Sequence, residues 1–298
     1  MFKRWRGLTY GLACLFCGLL VLAIYAPGLP GDFLFDDFTS IVSNGALRLH
    51  DLSTSSLLQA MLSGPPGALQ RPLSMLSFAL TVYFSGLSPF AFKLTNIFIH
   101  LGCGVLLGFL AREILRAYAE ITQRKLSPPA IAWLSLSIAT LWLVHPLNLT
   151  TVLYSVQREN ALAAACTAAA ALAYMTGRRR QRTGGSGGIY IWLYTPVCMF
   201  AGILCKENAA LTPIYLLVIE FTVLGFGAGD RATRRQLLSF YGVFLLLPAL
   251  AFCGVVAMKP DYFFSYAGRS FTLYQRLLSE SRILLDYLRW AVVPDPRQ

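Results

Sequence analysis

The chain has 298 residues, of which 56% are hydrophobic and only 13% are charged, and its mean hydropathy is +0.58. This apolar share exceeds that of an ordinary soluble domain and predicts an integral membrane protein. The formal net charge of +11 could indicate nucleic-acid binding, but membrane proteins collect Lys and Arg on their cytoplasmic loops. Because no aromatic residues are interleaved with the densest arginine run, we expect no nucleic-acid partner.

The N-terminus combines a basic start, MFKRWRG, with an uncharged run over residues 8–31. A secretory signal has the same basic flank, but its apolar region is shorter. We therefore predict an uncleaved first spanning helix with its N-terminus in the cytoplasm.

Further uncharged runs are long enough to cross a bilayer, which takes roughly 20 helical residues. They cover residues 72–92, 94–111, 126–157, 160–177, 183–205 and 236–258, and also 208–229 if one Glu is accepted.

Loop charge orients these runs. Segment 32–71 carries four Asp against two Arg, a net charge of −2 that suits the outer side, whereas segment 112–125 carries four basic against two acidic residues and belongs inside. An odd number of crossings must join the two segments. We therefore predict that 72–92, which has Pro at both ends, lies at the outer interface as a helix, and that 94–116 makes the crossing.

The next basic segments, 178–182 and 230–235, are expected on the inner side, with two crossings before each. RRRQRTGGSGG is then a flexible, Gly-rich loop. The predicted fold is an all-α polytopic bundle of about seven spanning helices with additional outer-face interfacial helices. Its transmembrane module covers 1–258, including a first outer loop at 32–93, and 259–298 forms an amphipathic outer-face segment.

Four clusters of charged or polar residues, distant in sequence, fall on the predicted outer face. Ionisable groups at membrane depth are costly, so each is a candidate functional residue, although any one cluster alone could be structural. The clusters are Asp36 with Asp37; His145; Gln157 to Asn160; and Lys206 with Glu207.

The chemistry of this set suits transfer of a sugar from a membrane-bound polyprenyl phosphate. A carboxylate pair such as Asp36 and Asp37 can accept a proton from an acceptor hydroxyl or hold a divalent cation. Arg and Lys can neutralise the departing phosphate at headgroup level. The isoprenoid tail of such a donor needs an apolar groove between helices, which explains a polytopic chain.

The motifs FLFDDFTSIVSN, RPLSMLSFALTVYFSGLSPFAFKLTNIFIH, LWLVHPLNLTTVLYSVQREN and CKENAALTP occur in that order. Together they resemble the multi-pass glycosyltransferases of the GT-C superfamily, and most closely the transmembrane-and-tetratricopeptide-repeat O-mannosyltransferases and their bacterial relatives. The resemblance covers roughly residues 30 to 220. It implies an outward-facing site, a polyprenyl-phosphate-linked sugar donor, a protein or glycan acceptor and an inverting mechanism.

By this resemblance, Asp36 and Asp37 occupy the catalytic acidic motif, whereas Asp32 lies outside it. Arg158 and Lys206 would stand near the donor phosphate, and Arg269 of a late outer segment is a further candidate. The residues expected to support the site are His145, Gln157, Glu207, Arg71 and His100. A divalent cation is an open alternative, with Asp36 and Asp37 as its ligands.

The sequence also departs from the family pattern. Lys93 stands where relatives often have His, and the family's further transmembrane helices and C-terminal repeats are missing, so the chain is expected to be truncated relative to its relatives. The expected location is the bacterial inner membrane, or the endoplasmic reticulum membrane if the source is eukaryotic.

Two other classes of function remain open from the sequence. A transporter or lipid flippase would place charges near the bilayer midplane and often shows repeated halves. A noncatalytic membrane scaffold would use the polar clusters only to orient helices. For an enzyme, the acidic pair, Arg158 and Lys206 should converge on one outer cavity.

Overall fold

The computed structural model describes residues 2–64, 69–227, 231–264, 266 and 268–293, with side chains from residue 7 onward except at 262 and 263. Over these residues the regular structure is helical, with no strand, and the predicted all-α fold is confirmed. The chain divides into two compact units, which have the bounds Met1–Gly229 and Asp230–Gln298. The predicted module boundary at residue 258 stays a prediction.

The first unit contains helices α1 to α9. Their bounds are α1 Phe2–Tyr25, α2 Thr54–Met61, α3 Pro72–Ser85, α4 Pro89–Ile121, α5 Pro128–Leu143, α6 Asn148–Leu153, α7 Arg158–Arg182, α8 Tyr190–Cys205 and α9 Glu207–Leu224. The second unit contains α10 Arg231–Met258, α11 Pro260–Phe264 and α12 Leu273–Val292.

Five helical segments in the described part of the chain are long and apolar enough to cross a membrane, which confirms a multi-pass membrane protein. They are Gly7–Gly28, Pro89–Ile121, Ser155–Arg182, Glu207–Leu224 and Arg231–Met258. The helices α5 and α8 are apolar but have 16 residues each. The count of seven crossings therefore stays a prediction that depends on these two helices.

Serine and proline define where the helices near the predicted outer loop begin. Ser88 Oγ accepts a hydrogen bond from the Ala91 N–H, and Pro89 takes the first helical position of α4, where a missing N–H costs nothing. The predicted interfacial helix at 72–92 is thus two elements, α3 and the start of α4, separated by Gly86, whose φ of +65° suits a glycine.

Small residues let the helices of the first unit pack closely. A Cβ added to Gly104 of α4 would lie 2.6 Å from Leu143 Cδ1 of α5, and one added to Gly202 of α8 would lie 2.9 Å from Ala209 Cβ. The face of α7 between α4 and α8 is rich in alanine, including buried Ala163 and Ala170. This dense packing holds the start of α7 in place, and the candidate site lies there.

The basic stretch RRRQR does not form the flexible loop that its composition predicts, because it completes the last turns of α7. Arg178 is buried, and its Nε lies 2.5 Å from Glu220 Oε1 of α9. The Tyr174 hydroxyl donates to the same carboxylate oxygen at 2.7 Å. This pair explains the one acidic residue in the run 208–229, since a buried Glu is retained when a cation and a hydroxyl satisfy it.

The predicted amphipathic C-terminal segment contains α12, which begins with a reciprocal cap. Thr272 Oγ1 accepts from the Gln275 N–H at 3.2 Å, and Gln275 Oε1 accepts from the Thr272 N–H at 2.8 Å. Residues 294–298 of that segment, and Asp230 of the second predicted inner loop, lie outside the described residues. The placement of α12 at a membrane surface stays a prediction.

Candidate active site

Asp37 ties the first predicted outer loop to the start of α7. Its side chain is buried, with 1% of the residue exposed, and its two oxygens accept from the backbone N–H groups of Leu34 at 3.0 Å and Val156 at 2.7 Å. Burial raises the pKa of Asp37 above its ordinary value, although the backbone N–H groups and the charge of Lys93 act to lower it. Asp37 thus holds the acidic turn, residues 34–37, against the linking segment, residues 154–160.

Asp36 lies beside Asp37 but is exposed. Its backbone N–H donates to the Tyr154 hydroxyl at 2.8 Å, and the preceding Phe35 adopts a left-handed backbone with φ +38°. Such a conformation is strained for a non-glycine residue and persists where its surroundings enforce it. The turn therefore buries the carboxylate of Asp37 and leaves that of Asp36 exposed at the protein surface.

Glu159 of the linking segment belongs to a charged cluster with Arg71, Lys206 and Glu207. Glu159 is buried, and its Oε2 lies 2.6 Å from Arg71 Nη1 and 4.0 Å from Lys206 Nζ. Arg71 Nη2 also lies 3.2 Å from Glu207 Oε2. The cluster is electrically balanced, and Glu159 Oε1 is buried without a hydrogen-bond partner in the described structure. An orphaned carboxylate oxygen of this kind can accept from a ligand.

Two cations of the charged cluster keep part of their surface exposed, 26% for the Arg71 side chain and 22% for that of Lys206. Burial lowers the pKa of Lys206, and the nearby Glu159 charge only partly offsets this effect. Burial acts in the same direction on Arg71, but its hydrogen bond to Glu207 and the charge of Glu159 raise its pKa overall. Arg71 also has a left-handed φ of +51° directly before α3.

Arg158 is fully enclosed and does not reach the charged cluster. Its Nε donates to Asn96 Oδ1 at 2.7 Å, its Nη1 to Thr81 Oγ1 at 2.8 Å, and its Nη2 to the Phe92 carbonyl at 3.1 Å. Its Nη1 also donates to both oxygen atoms of Ser77. The guanidinium carbon lies 5.1 and 4.9 Å from the ring centres of Phe78 and Phe92.

In this arrangement Arg158 joins α3, α4 and α7 through neutral acceptors, and no part of it is exposed. The predicted phosphate contact is therefore not available without a rearrangement. The role of Arg158 that its surroundings support is to position the linking segment.

The structure gives each of the other predicted site residues its own local contacts. His145 Nδ1 accepts from the Leu147 N–H at 3.3 Å, and Gln157 Oε1 accepts from Asn160 Nδ2. His100 is buried, with Nε2 2.9 Å from the Leu143 carbonyl oxygen. Arg269 belongs to the second unit, where it lies over the rings of Tyr266 and Phe271.

Two residues of α4 that the sequence reasoning did not assign have clear positions. Lys93 is buried, and its Nζ donates to the carbonyl oxygens of Gly31 at 2.6 Å and Gly28 at 3.2 Å. Asn96 donates to the Val152 carbonyl at 3.1 Å while accepting from Arg158. Asn96 belongs to the run TNIFIH at residues 95–100 and Lys93 lies just before it. Polar residues one helical turn apart in an apolar run could have indicated a buried polar seam.

An apolar cavity of about 350 Å³ lies between α4, α7 and α9. Asn160 and Asn208 form its polar end, and Nδ2 of Asn208 donates to Oδ1 of Asn160 at 3.4 Å. These two residues directly follow Glu159 and Glu207 of the charged cluster in the sequence. The cavity walls beyond them are formed mainly by Ala, Leu and Ile side chains. A ligand with a polar head and an apolar tail would match this gradient.

A divalent cation between Asp36 and Asp37 finds little support in the geometry. Both oxygens of Asp37 already accept backbone N–H groups, which a bound cation would have to replace. Within the described residues, no group of three or more His, Cys, Asp or Glu side chains is placed to hold a metal ion.

Fold and site together define a polytopic helical membrane protein in which one segment contacts both a turn with an exposed carboxylate and two partly exposed cations. Comparison with curated proteins agrees with this class. The protein O-mannosyl-transferase Tmtc2 of Drosophila melanogaster is 28% identical over 302 residues, covering 95% of this chain and 29% of that relative. Protein O-mannosyl-transferase TMTC4 of Homo sapiens is 29% identical over 227 residues, covering 72% of this chain and 30% of that relative.

These relatives confirm the resemblance to the transmembrane O-mannosyltransferases that the motifs indicate. The chain spans less than a third of the length of the curated relatives it matches. No family model and no solved structure matches it.

Proposed function

We propose that the chain is the transmembrane part of an inverting GT-C glycosyltransferase that moves a mannosyl group from a polyprenyl phosphate to a protein hydroxyl. The names of the relatives support the sugar and the protein acceptor. The observation that carries the proposal is the arrangement around the linking segment. There, an exposed Asp36 stands on a turn that Asp37 fixes to Val156, and Glu159, three residues further along the same segment, contacts Arg71 and Lys206.

In the proposed reaction, Asp36 is the general base. Its carboxylate takes the proton of the acceptor hydroxyl while that oxygen attacks the anomeric carbon from the side opposite the phosphate. The new carbon–oxygen bond forms as the bond from the anomeric carbon to the phosphate oxygen breaks, and the electron pair leaves with the polyprenyl phosphate. Asp37 positions the turn, because both of its oxygens are occupied by backbone donors.

The leaving phosphate is proposed to bind Lys206 and Arg71. Both cations now face Glu159, so the dianionic phosphate would compete for them and strengthen its contacts as its charge develops. The cavity between α4, α7 and α9 is proposed to take the first isoprene units of the donor. Arg158 and His100 are proposed to position the surrounding helices, and the phosphate role of Arg269 stays a prediction.

The proposed orientation places the N-terminus in the cytoplasm and this site on the outer face of the membrane. The acidic balance of loop 32–71 and the basic balance of segment 112–125 support it. We propose the bacterial inner membrane as the location, with the endoplasmic reticulum membrane as the equivalent for a eukaryotic source.

A first test replaces Lys206 by Met, which keeps the stem but removes the charge. We expect the variant to bind a defined polyprenyl-phosphate mannose at least about tenfold more weakly than the wild type, because a charge-assisted hydrogen bond contributes roughly 1.5–3 kcal/mol. Binding to purified protein in nanodiscs measures this. Lys259→Met, which removes an exposed lysine of the second unit, is the matched control and should bind like the wild type. Equal donor affinity for both variants would refute the phosphate role of Lys206.

The pH dependence of donor binding provides a second test of Lys206. Its pKa is lowered from the ordinary 10.5, so Lys206 loses its charge at a lower pH than an exposed lysine does. Donor affinity is therefore expected to fall on the alkaline side before pH 10.5 is reached. Lys206→Arg should retain affinity and lose this alkaline limb, because a guanidinium stays charged throughout the range. An identical alkaline limb in Lys206→Arg would assign the titration to another group.

A further inference from the structure

Another cavity, of about 380 Å³ and lined largely by charged side chains, lies at the end of α4 remote from the candidate active site. Lys93 near the acidic turn and Arg116 at this cavity are 23 residues apart on one continuous helix, which corresponds to about 35 Å. This distance is comparable to the thickness of the hydrocarbon core. The cavity therefore lies at the opposite membrane surface from the proposed reaction.

Four cations surround this cavity: Arg116 from α4, Arg124 and Lys125 from the following turn, and Arg179 from the end of α7. Glu113 is shared between two of them, with its oxygens 2.8 Å from Arg116 Nη1 and 2.9 Å from Arg179 Nε. Glu113 is not itself part of the cavity wall, whereas the carboxylate of Glu120 is. The four cations thus outnumber the two carboxylates, and the cavity carries a positive charge of 2.

Arg124 and Lys125 are presented by a tight turn. Gln123 before them has a left-handed φ of +55°, and its side-chain amide donates to the Glu120 carbonyl at 2.9 Å. The Leu126 N–H closes the turn on the Arg124 carbonyl at 2.9 Å. Both cations are exposed and have no ion pair with a described residue. The turn therefore holds two available cations beside the arginine pair.

The remaining walls of this cavity are apolar, and they include Leu126, Pro128 and Ile131. A separate apolar cavity of about 320 Å³, between α1, α4 and α5, begins at Arg112, one helical turn before Arg116. It continues along the α4 and α5 surfaces past Ser135. A ligand with a negatively charged phosphate and an acyl chain would match both the charge and the apolar surface beyond it.

We propose that the cavity lined by Arg116, Arg124, Lys125 and Arg179 binds the phosphate of an anionic lipid headgroup. The positive-inside tendency accounts for basic residues anywhere in this loop, but not for cations from three elements around one cavity with an apolar wall. This site is separate from the proposed transfer reaction and does not depend on it. Its ligand is a phosphodiester, which leaves one negative charge between two available cations.

The test measures the melting temperature of the purified full chain in a nonionic detergent. The probes are phosphatidylglycerol, phosphatidylcholine at the same concentration, and inorganic phosphate against chloride at the same ionic strength. A ligand that binds only the folded state raises the melting temperature. We expect phosphatidylglycerol to raise it and phosphatidylcholine not to do so.

The double variant Arg124→Gln with Lys125→Gln should need about 25 times as much phosphatidylglycerol for the same rise in melting temperature, since each cation near an anionic headgroup contributes about a factor of five in affinity. Arg234→Gln with Arg235→Gln removes the same charge from exposed positions of α10 and should keep the wild-type response. An equal rise with inorganic phosphate alone would identify free phosphate as the ligand of the same site. An equal phosphatidylglycerol response in the two double variants, or an equal response to phosphatidylcholine, would overturn the proposal.

Discussion

Asp36→Asn is expected to lower the rate of sugar transfer about 10²–10⁴-fold, the usual contribution of a general base, and to leave the melting temperature unchanged. The amide retains the shape of the side chain but cannot accept the proton of the acceptor hydroxyl. Asp36 is exposed, and its link to Tyr154 runs through the backbone N–H, which the substitution leaves in place. Single-turnover transfer from a labelled donor, together with thermal unfolding, measures both quantities.

Asp37→Asn is the matched control for Asp36→Asn, because it makes the same chemical change one residue further on. In Asp37 one of the two oxygens would become an NH₂ group facing the N–H of Leu34 or Val156. A buried donor would then be left without an acceptor, at a cost of about 1–3 kcal/mol of unfolding free energy. If Asp36→Asn transferred sugar at the wild-type rate, Asp36 would not be the general base.

The largest loss of stability is expected for Arg158→Met. This substitution fills most of the volume but leaves the acceptors on Asn96, Ser77, Thr81 and Phe92 without their donor in a buried place. Each buried acceptor left without a donor costs about 1–3 kcal/mol of unfolding free energy, and this substitution strands several of them at once. Unfolding in detergent micelles, followed by tryptophan fluorescence, measures the loss.

Arg158→Lys separates this positioning role from the phosphate contact that the sequence resemblance implies. A lysine keeps the positive charge but cannot reproduce donors that point in several directions from one plane. For a positioning residue, we expect Arg158→Lys to unfold almost as readily as Arg158→Met. A stable Arg158→Lys protein with a selectively raised donor dissociation constant would contradict the positioning role and support direct phosphate binding.

The helical fold was predictable because its signals are local. Long uncharged runs identify the spanning segments, and Ser followed by Pro at residues 88–89 and 127–128 sets the start of α4 and α5. Arg71 and Lys206, which contact α7, were among the residues that the motifs single out. The motifs did not indicate which of the site residues would be buried and which exposed.

Exposure depends on contacts between distant residues. The Asp37 carboxylate is buried by a backbone N–H 119 positions away, and the Arg158 guanidinium is enclosed by side chains of α3 and α4. Charge composition alone also misplaces Arg178, because only the position of Glu220 on α9 shows that the basic run is helical and partly buried. These contacts join residues that are distant in the sequence, so a single sequence does not indicate them.

The proposed sugar transfer can be measured directly. Purified full chain is reconstituted in liposomes with labelled polyprenyl-phosphate mannose and a Ser/Thr-containing acceptor peptide, and the peptide is analysed by mass spectrometry and NMR. We expect a peptide carrying one hexose on a hydroxyl, with an anomeric configuration opposite to that of the donor, and loss of this product in Asp36→Asn. Movement of the labelled lipid across the bilayer without any glycosylated peptide, or product of unchanged configuration, would contradict the proposed reaction.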